Sequence, residues 1–153
     1  MDEILLVMIL MGFATTAYGC SCLPSSLWEK FRRSEVVARV KVKSEDVKGH
    51  LREYTVEVVQ VYKEPKELPT FPTIVRTPKD SGQCGTRLWL GYTFAIGGRL
   101  DGDDVLFMTS CDLRMEWSTT TPEERAKLDF YSLFYFNCHR NINKAPFVFR
   151  QHS

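Results

Sequence analysis

Apolar and polar residues alternate from Val36 to Lys43. Ala38, Val40 and Val42 fall on one face, and Arg39, Lys41 and Lys43 on the other, which is the pattern of a half-buried strand. Residues 52–63 (REYTVEVVQVYK) predict a second strand, and the Val58-Val59 pair breaks its alternation, as a bulge or two-sided burial would. Pro65, Pro69 and Pro72 mark an irregular connection. A short strand is expected near 73–77, then a turn-rich loop from Lys79 to Gly85. Leu88, Leu90, Tyr92, Phe94 and Ile96 predict one strand face, Gly97-Gly98 and Asp101-Gly102 predict turns, and Asp104 to Cys111 a further strand. Ser26-Leu-Trp-Glu29 has the spacing of a capping box and predicts a short helix to about Arg33. Thr121-Pro122-Glu123-Glu124 predicts the start of a second helix, along which Leu128, Tyr131, Tyr135 and Cys138 recur at helical spacing. The sum is a mainly β chain: a five-stranded closed barrel of the OB type with a short N-terminal helix and a C-terminal helix. An open α+β sandwich is the alternative.

The N-terminus reads differently. Ile4 to Ala14 is a continuous apolar run of signal-peptide length, too short to span a bilayer. Ala17 and Gly19 place small residues where a cut before Cys20 needs them. Asp2 and Glu3 stand where a positive n-region is usual. Residues 1–19 are therefore expected to be a secretory signal peptide, and the protein to be secreted and extracellular. No later stretch is long and apolar enough for a transmembrane helix. Removing the leader takes Asp2 and Glu3 with it and leaves a net charge of about +3, too mild to suggest nucleic acid.

All five cysteines (20, 22, 84, 111 and 138) follow the leader. In an oxidising compartment they predict bridges, and one cysteine must remain over. Cys20 and Cys22 are poorly placed to bond each other, so each is expected to reach a distant partner. Cys20-Ser21-Cys22 admits three readings: two structural disulfides, a soft-metal thiolate site, or disulfides that hold the free α-amine and carbonyl of Cys20 as metal ligands. His50, His139 and His152 are scattered without ligand spacing, and His139 beside Cys138 is not a catalytic dyad by adjacency. Asp101, Asp103 and Asp104 lack the spacing of a calcium loop. The basic side Arg39, Lys41 and Lys43 reads as a solvated strand face, with sulfated matrix glycans as an alternative partner.

Cys20-Ser21-Cys22-Leu23-Pro24 resembles the start of the tissue inhibitors of metalloproteinases, which begin Cys-x-Cys-x-Pro directly after the leader. The resemblance continues in order through Phe31, Ser34 to Val42, Tyr62-Lys63, Thr77-Pro78, Cys84-Gly85, Phe94 to Arg99, Asp101-Gly102, Cys111-Asp112, Trp117 and the helix ending at Cys138. It implies an OB-like, netrin-like inhibitory domain over 20–138, with 139–153 as a C-terminal extension. It implies disulfides Cys20–Cys84 and Cys22–Cys111. It implies an inhibitor, not an enzyme, with no cofactor of its own. Its partners would be secreted zinc metalloproteases of the matrix type, whose catalytic zinc the Cys20 amine and carbonyl would chelate. Ser21 would point into the specificity pocket, Leu23 and Pro24 would line adjoining subsites, and Ser81-Gly82-Gln83 would sit beside them.

Two departures are plain. Arg32 occupies the position where the family has the cysteine that pairs with the domain's last one, so Cys138 is left unpaired. It is expected either as a buried free thiol on a helix face or in an intermolecular disulfide. The family's His-Pro-Gln run is replaced by Ser25 to Trp28. The alternative function is a netrin-like extracellular binding module that inhibits no protease.

Overall fold

The computed structural model describes residues 19–102 and 105–142. The expected leader (apart from Gly19), Asp103, Asp104 and the chain beyond 142 lie outside the described residues. The elements in chain order are α1 (Leu27–Arg33), β1 (Val36–Lys48), β2 (Leu51–Lys63), β3 (Ile74–Pro78), β4 (Thr93–Leu100), β5 (Val105–Phe107), β6 (Arg114–Glu116) and α2 (Pro122–Ile142).

The sheet runs β1-β2-β3-β5-β4 and closes through a β1–β4 pairing, so five strands form a ring, with β6 attached to β4. All pairings are antiparallel except β3 with β5. This is the OB-like barrel expected from the pattern, with a sixth short strand that the pattern does not reveal. Closure follows from β1, which pairs with β2 on one edge and with β4 on the other. Its even positions Val36, Ala38, Val40 and Val42 fill the barrel with Tyr54, Val56, Phe94, Ile96 and Leu106. On its opposite face Val37 joins Phe31, Tyr62, Ala95, Leu113 and Leu128 in a second cluster beneath the helices. The bulge expected at Val58-Val59 is present: Arg39 faces Gln60 and Val40 faces Val58, so Val59 is skipped and turned outward.

Three of the expected strand and turn assignments need correction. Residues 88–96 are not one strand: the extended run starts at Thr93, Leu88 is buried, and Leu90 and Tyr92 are exposed on a turn. Gly97-Gly98 is no turn but lies inside β4, where a Cβ on Gly98 would overlap the carbonyl oxygen of Phe107 on the neighbouring strand. The strand expected over 104–111 is confined to Val105–Phe107, because Thr109 turns the chain. Its N–H and hydroxyl both donate to the Asp112 carboxylate, each at 2.8 Å.

Both helices begin as their sequences predict. Ser26 and Glu29 cap α1 reciprocally, and Thr121 and Glu124 do the same for α2. The far end of α1 is held by a strand residue. Lys63 at the end of β2 is buried, and its ammonium donates to the carbonyls of Phe31 (3.3 Å), Arg32 (2.9 Å) and Ser34. Burial pushes this ammonium below its ordinary pKa, and the charge of Glu35 pulls it partly back.

α2 extends to Ile142, past the end expected at Cys138. Leu128 is fully buried and Tyr131 and Tyr135 pack against the same cluster. Trp28 of α1 lies 4.9 Å from Tyr131 and 5.9 Å from Phe134 between ring centroids. At the start of α2, Arg125 stacks on Trp117 at 4.6 Å, while Arg39 of β1 lies over the same ring at 4.5 Å. With Lys43 paired to Glu57, much of the basic side of β1 is engaged within the fold. Cys138 is an exposed free thiol, which corrects the expectation of burial: its position on α2 faces the rim of the helix–helix groove and not the barrel. That groove, about 580 Å³, is lined by Arg32 as well as Cys138.

Two outcomes follow from these contacts. Lys63→Met removes the charged donor from three carbonyls and is expected to lower stability by about 2–3 kcal/mol, read as a lower urea midpoint at unchanged slope. Arg32→Cys places a thiol in the same groove as Cys138 and is expected to form a bridge closing a loop of about a hundred residues. The gain should approach, without exceeding, about 4.7 kcal/mol, seen as a raised melting temperature lost on reduction and as a mass two hydrogen atoms lower on non-reducing mass spectrometry.

Candidate inhibitory ridge

Residues 19–26, before α1, belong to neither helix nor strand, and two disulfides tie this segment to the barrel. Cys20 bonds Cys84 and Cys22 bonds Cys111, with Cα separations of 5.0 and 5.2 Å. Each distant partner sits on a turn of its own. Cys84 follows the single 3₁₀ turn Ser81–Gln83 and takes a left-handed conformation, φ 61°. Its N–H donates to the Ser81 carbonyl at 3.1 Å, and the Gly85 N–H to the Asp80 carbonyl at 3.0 Å. Gly85 passes so close to Pro78 that an added Cβ would overlap the Pro78 carbonyl oxygen, so glycine is required after the cysteine. Cys111 sits in the Thr109–Asp112 turn, where its N–H donates to the Thr109 hydroxyl at 3.3 Å.

The two turns are joined to each other. The Ser110 N–H donates to the Cys84 carbonyl at 2.8 Å. The Ser110 hydroxyl lies 3.7 Å from the Cys20 sulfur and 3.9 Å from the Cys22 sulfur. Arg33, at the end of α1, donates to the Cys111 carbonyl at 3.1 Å. The sulfurs of Cys20 and Cys111 are 4.0 Å apart, so the bridges pack as one unit. The sulfurs of Cys20, Cys84 and Cys111 lie close enough together for a metal. All three are spent in disulfides, however, which leaves no thiolate for the soft-metal reading.

What the bridges hold up is exposed. Ser21, Cys22, Leu23 and Pro24 are all solvent-accessible, Leu23 at 86% of its full area. Ser81, Gly82 and Gln83 are exposed too, and the Cys20–Cys84 bond holds them against the N-terminal segment. A side chain as bare as Leu23 contributes almost no burial to the fold. The structure thus gathers Cys20 to Pro24 and Ser81 to Cys84 into one ridge, with Cys111 beneath it and Cys138 elsewhere, on α2. The sequence reading missed the residues that orient it: Asp80, Thr109, Ser110, Asp112 and Arg33. The Thr109–Asp112 spacing was a readable signal, since a hydroxyl residue and an aspartate three apart favour such a turn; the reach of Arg33 across the fold left no local trace.

Comparison with known proteins agrees with this architecture. A metalloproteinase inhibitor candidate of Caenorhabditis elegans, tag-225, is 28% identical over 135 residues, covering 81% of this chain and 82% of its own. Human metalloproteinase inhibitor 2 is 25% identical over 154 residues, covering 93% of this chain and 68% of the human one. The tissue inhibitor of metalloproteinase of Drosophila melanogaster is 28% identical over 126 residues, with 80% of this chain and 58% of the fly protein covered. The family profile described as tissue inhibitor of metalloproteinase matches residues 18–148, and the chain belongs to that family, whose members are inhibitors and not enzymes.

Proposed function

We propose that the chain is a secreted inhibitor of zinc metalloproteases, acting through the α-amine and carbonyl oxygen of Cys20 after residues 1–19 are removed. The observation that carries this reading is the tethering of Cys20: its own bridge to Cys84 and that of Cys22 to Cys111 fix an otherwise irregular terminus at an exposed ridge. A catalytic zinc keeps one position open for water. Amine and carbonyl of one residue form a five-membered chelate that displaces this water and so removes the nucleophile. The amine binds in its neutral form, and an α-amine titrating near about 7.7–8.0 gives up its proton readily at neutral pH, with the metal favouring the loss further.

Around that contact each side chain has a role. Ser21 enters the specificity pocket next to the zinc, and its small hydroxymethyl group leaves selectivity to its neighbours. Leu23 and Pro24 fill the adjoining subsites, Pro24 restricting its own backbone. Ser81, Gly82 and Gln83 cover the flank. The inhibitory domain is then 20–138, followed by 139–153 as a C-terminal extension. Because the ridge is ordered before it meets the protease, little conformational entropy is lost on binding.

The decisive experiment compares protein beginning at Cys20 with protein carrying one additional N-terminal alanine, against a panel of matrix metalloproteases. The extra residue converts the amine into an amide and crowds the metal. The extended form is expected to bind at least about a hundredfold more weakly, or about 2.7 kcal/mol. Equal inhibition by both forms overturns chelation, and inhibition by neither favours a binding module instead. A second comparison isolates the tether. The Cys22→Ser/Cys111→Ser double variant opens a loop with a sequence separation of 89, at a stability cost of at most about 4–5 kcal/mol. Inhibition per folded molecule is expected to drop more than about tenfold while the far-ultraviolet circular dichroism of the barrel persists at low temperature.

A further inference from the structure

The segment between Gly85 and β4 carries three large side chains turned to solvent: Trp89 at 50%, Leu90 at 54% and Tyr92 at 50% of their full areas. The backbone beneath them is well fastened. The Leu88 N–H donates to the Tyr54 hydroxyl at 3.1 Å, with Leu88 itself buried. Gly91 donates to the Val42 carbonyl at 2.9 Å and Val42 returns a bond to the Tyr92 carbonyl at 3.0 Å. The Tyr92 N–H closes the turn onto Trp89 at 3.2 Å. Aromatic side chains displayed on a fixed backbone lose little freedom when covered, which is the character of interface anchors.

The charges around them indicate what covers them. Trp89, Leu90 and Tyr92 share a concavity of about 540 Å³ with Glu45 of β1 and Glu116 of β6. Glu45 is paired with Arg52. Glu116 accepts a hydrogen bond from the Ser118 hydroxyl but has no cation partner among the described residues. Aromatic faces attract cations, and Arg87 of the same loop already lies 5.8 Å from the Trp89 ring centroid. We infer that this aromatic and acidic recess receives a basic side chain, Arg or Lys, of a protein partner. The recess shares no residue with the ridge of 20–24 and 81–83.

The probe is the peptide acetyl-Gly-Arg-Gly-Arg-Gly-amide, with its Glu-for-Arg counterpart as control, titrated into the disulfide-intact protein beginning at Cys20. The readouts are the indole and backbone amide resonances, with Trp89→Phe assigning the indole. The expected result is a saturable shift at Trp89 and at amides 88–92. It should be weakened about three- to fivefold in Glu116→Gln, lost in Trp89→Ala and absent with the Glu peptide. Glu116→Gln should leave metalloprotease inhibition unchanged. No shift at Trp89, an equal shift with the Glu peptide, or undiminished binding to Glu116→Gln overturns the proposal. So does concentration-dependent self-association that Trp89→Ala abolishes without any peptide binding by the parent protein, which would give the patch to a second copy of the chain.

Discussion

The parallel pairing of β3 with β5 is the constraint on which the ridge depends. Two parallel strands end at the same edge of a sheet, whereas antiparallel neighbours end at opposite edges. β3 and β5 align Ile74 with Val105 and Arg76 with Phe107, so the chain leaves both strands on one side of the barrel. A few residues beyond each exit stands a cysteine, Cys84 in one turn and Cys111 in the other, and Ser110 joins the turns through the Cys84 carbonyl. The N-terminal segment then needs only Cys20 and Cys22 to reach both. Were β5 reversed, Cys111 would leave from the other end, and two cysteines so close in sequence could not be tied to the same patch.

The two helices are held to each other without a disulfide among the described residues. Arg32 stands where the resemblance to the family implies a bridging cysteine, and the helices meet through Trp28, Phe31, Tyr131 and Phe134. Aromatic pairs of this kind add about 0.5–1.5 kcal/mol each beyond the area they bury. A bridge acts largely on the unfolded chain, while rings act only in the folded one. The exchange therefore leaves α2 dependent on the integrity of the cluster under it. Trp117 extends that dependence, since Arg39 from β1 and Arg125 from α2 flank its ring and tie the helix start to the barrel wall.

Much of this was legible in the chain because it is local. Alternation in 36–43 assigns faces by itself, the Val58-Val59 break narrows to a bulge or two-sided burial, and both capping boxes mark where their helices begin. The misreadings arise where tertiary contact decides. Leu90 and Tyr92 fit a strand period, but Gly91 and the bonds to Val42 turn them out of register. Gly97-Gly98 has the composition of a turn, yet the glycines serve the close approach of β4 to its neighbours. β6 is three residues long and has no period to detect. At the ridge, the cysteines and their neighbours were readable from their order along the chain. Arg33, Ser110 and Asp80 were not, because their role is to orient groups that are remote in sequence or in backbone only.

If the 20–24 segment meets a protease as proposed, its rigidity bears directly on affinity. Ordering one backbone residue costs about 1–2 kcal/mol, so a loose segment of the size of 20–24 would lose about 5–10 kcal/mol on meeting a protease. Nanomolar binding amounts to about 12 kcal/mol, and a loss of that size would remove most of it. The two bridges move this cost into folding, where the barrel core of Val40, Tyr54, Phe94, Ile96 and Leu106 offsets it. The ridge is thereby free to be small and bare. Leu23 can stand almost wholly in solvent because it is held in place by its neighbours' sulfurs and not by its own burial. The same logic explains the loop below: the Asp80 carbonyl accepts from the Gln83 and Gly85 N–H groups, and Gly85 permits the close approach to Pro78, so the backbone on the far side of the Cys20 bridge is fixed as well.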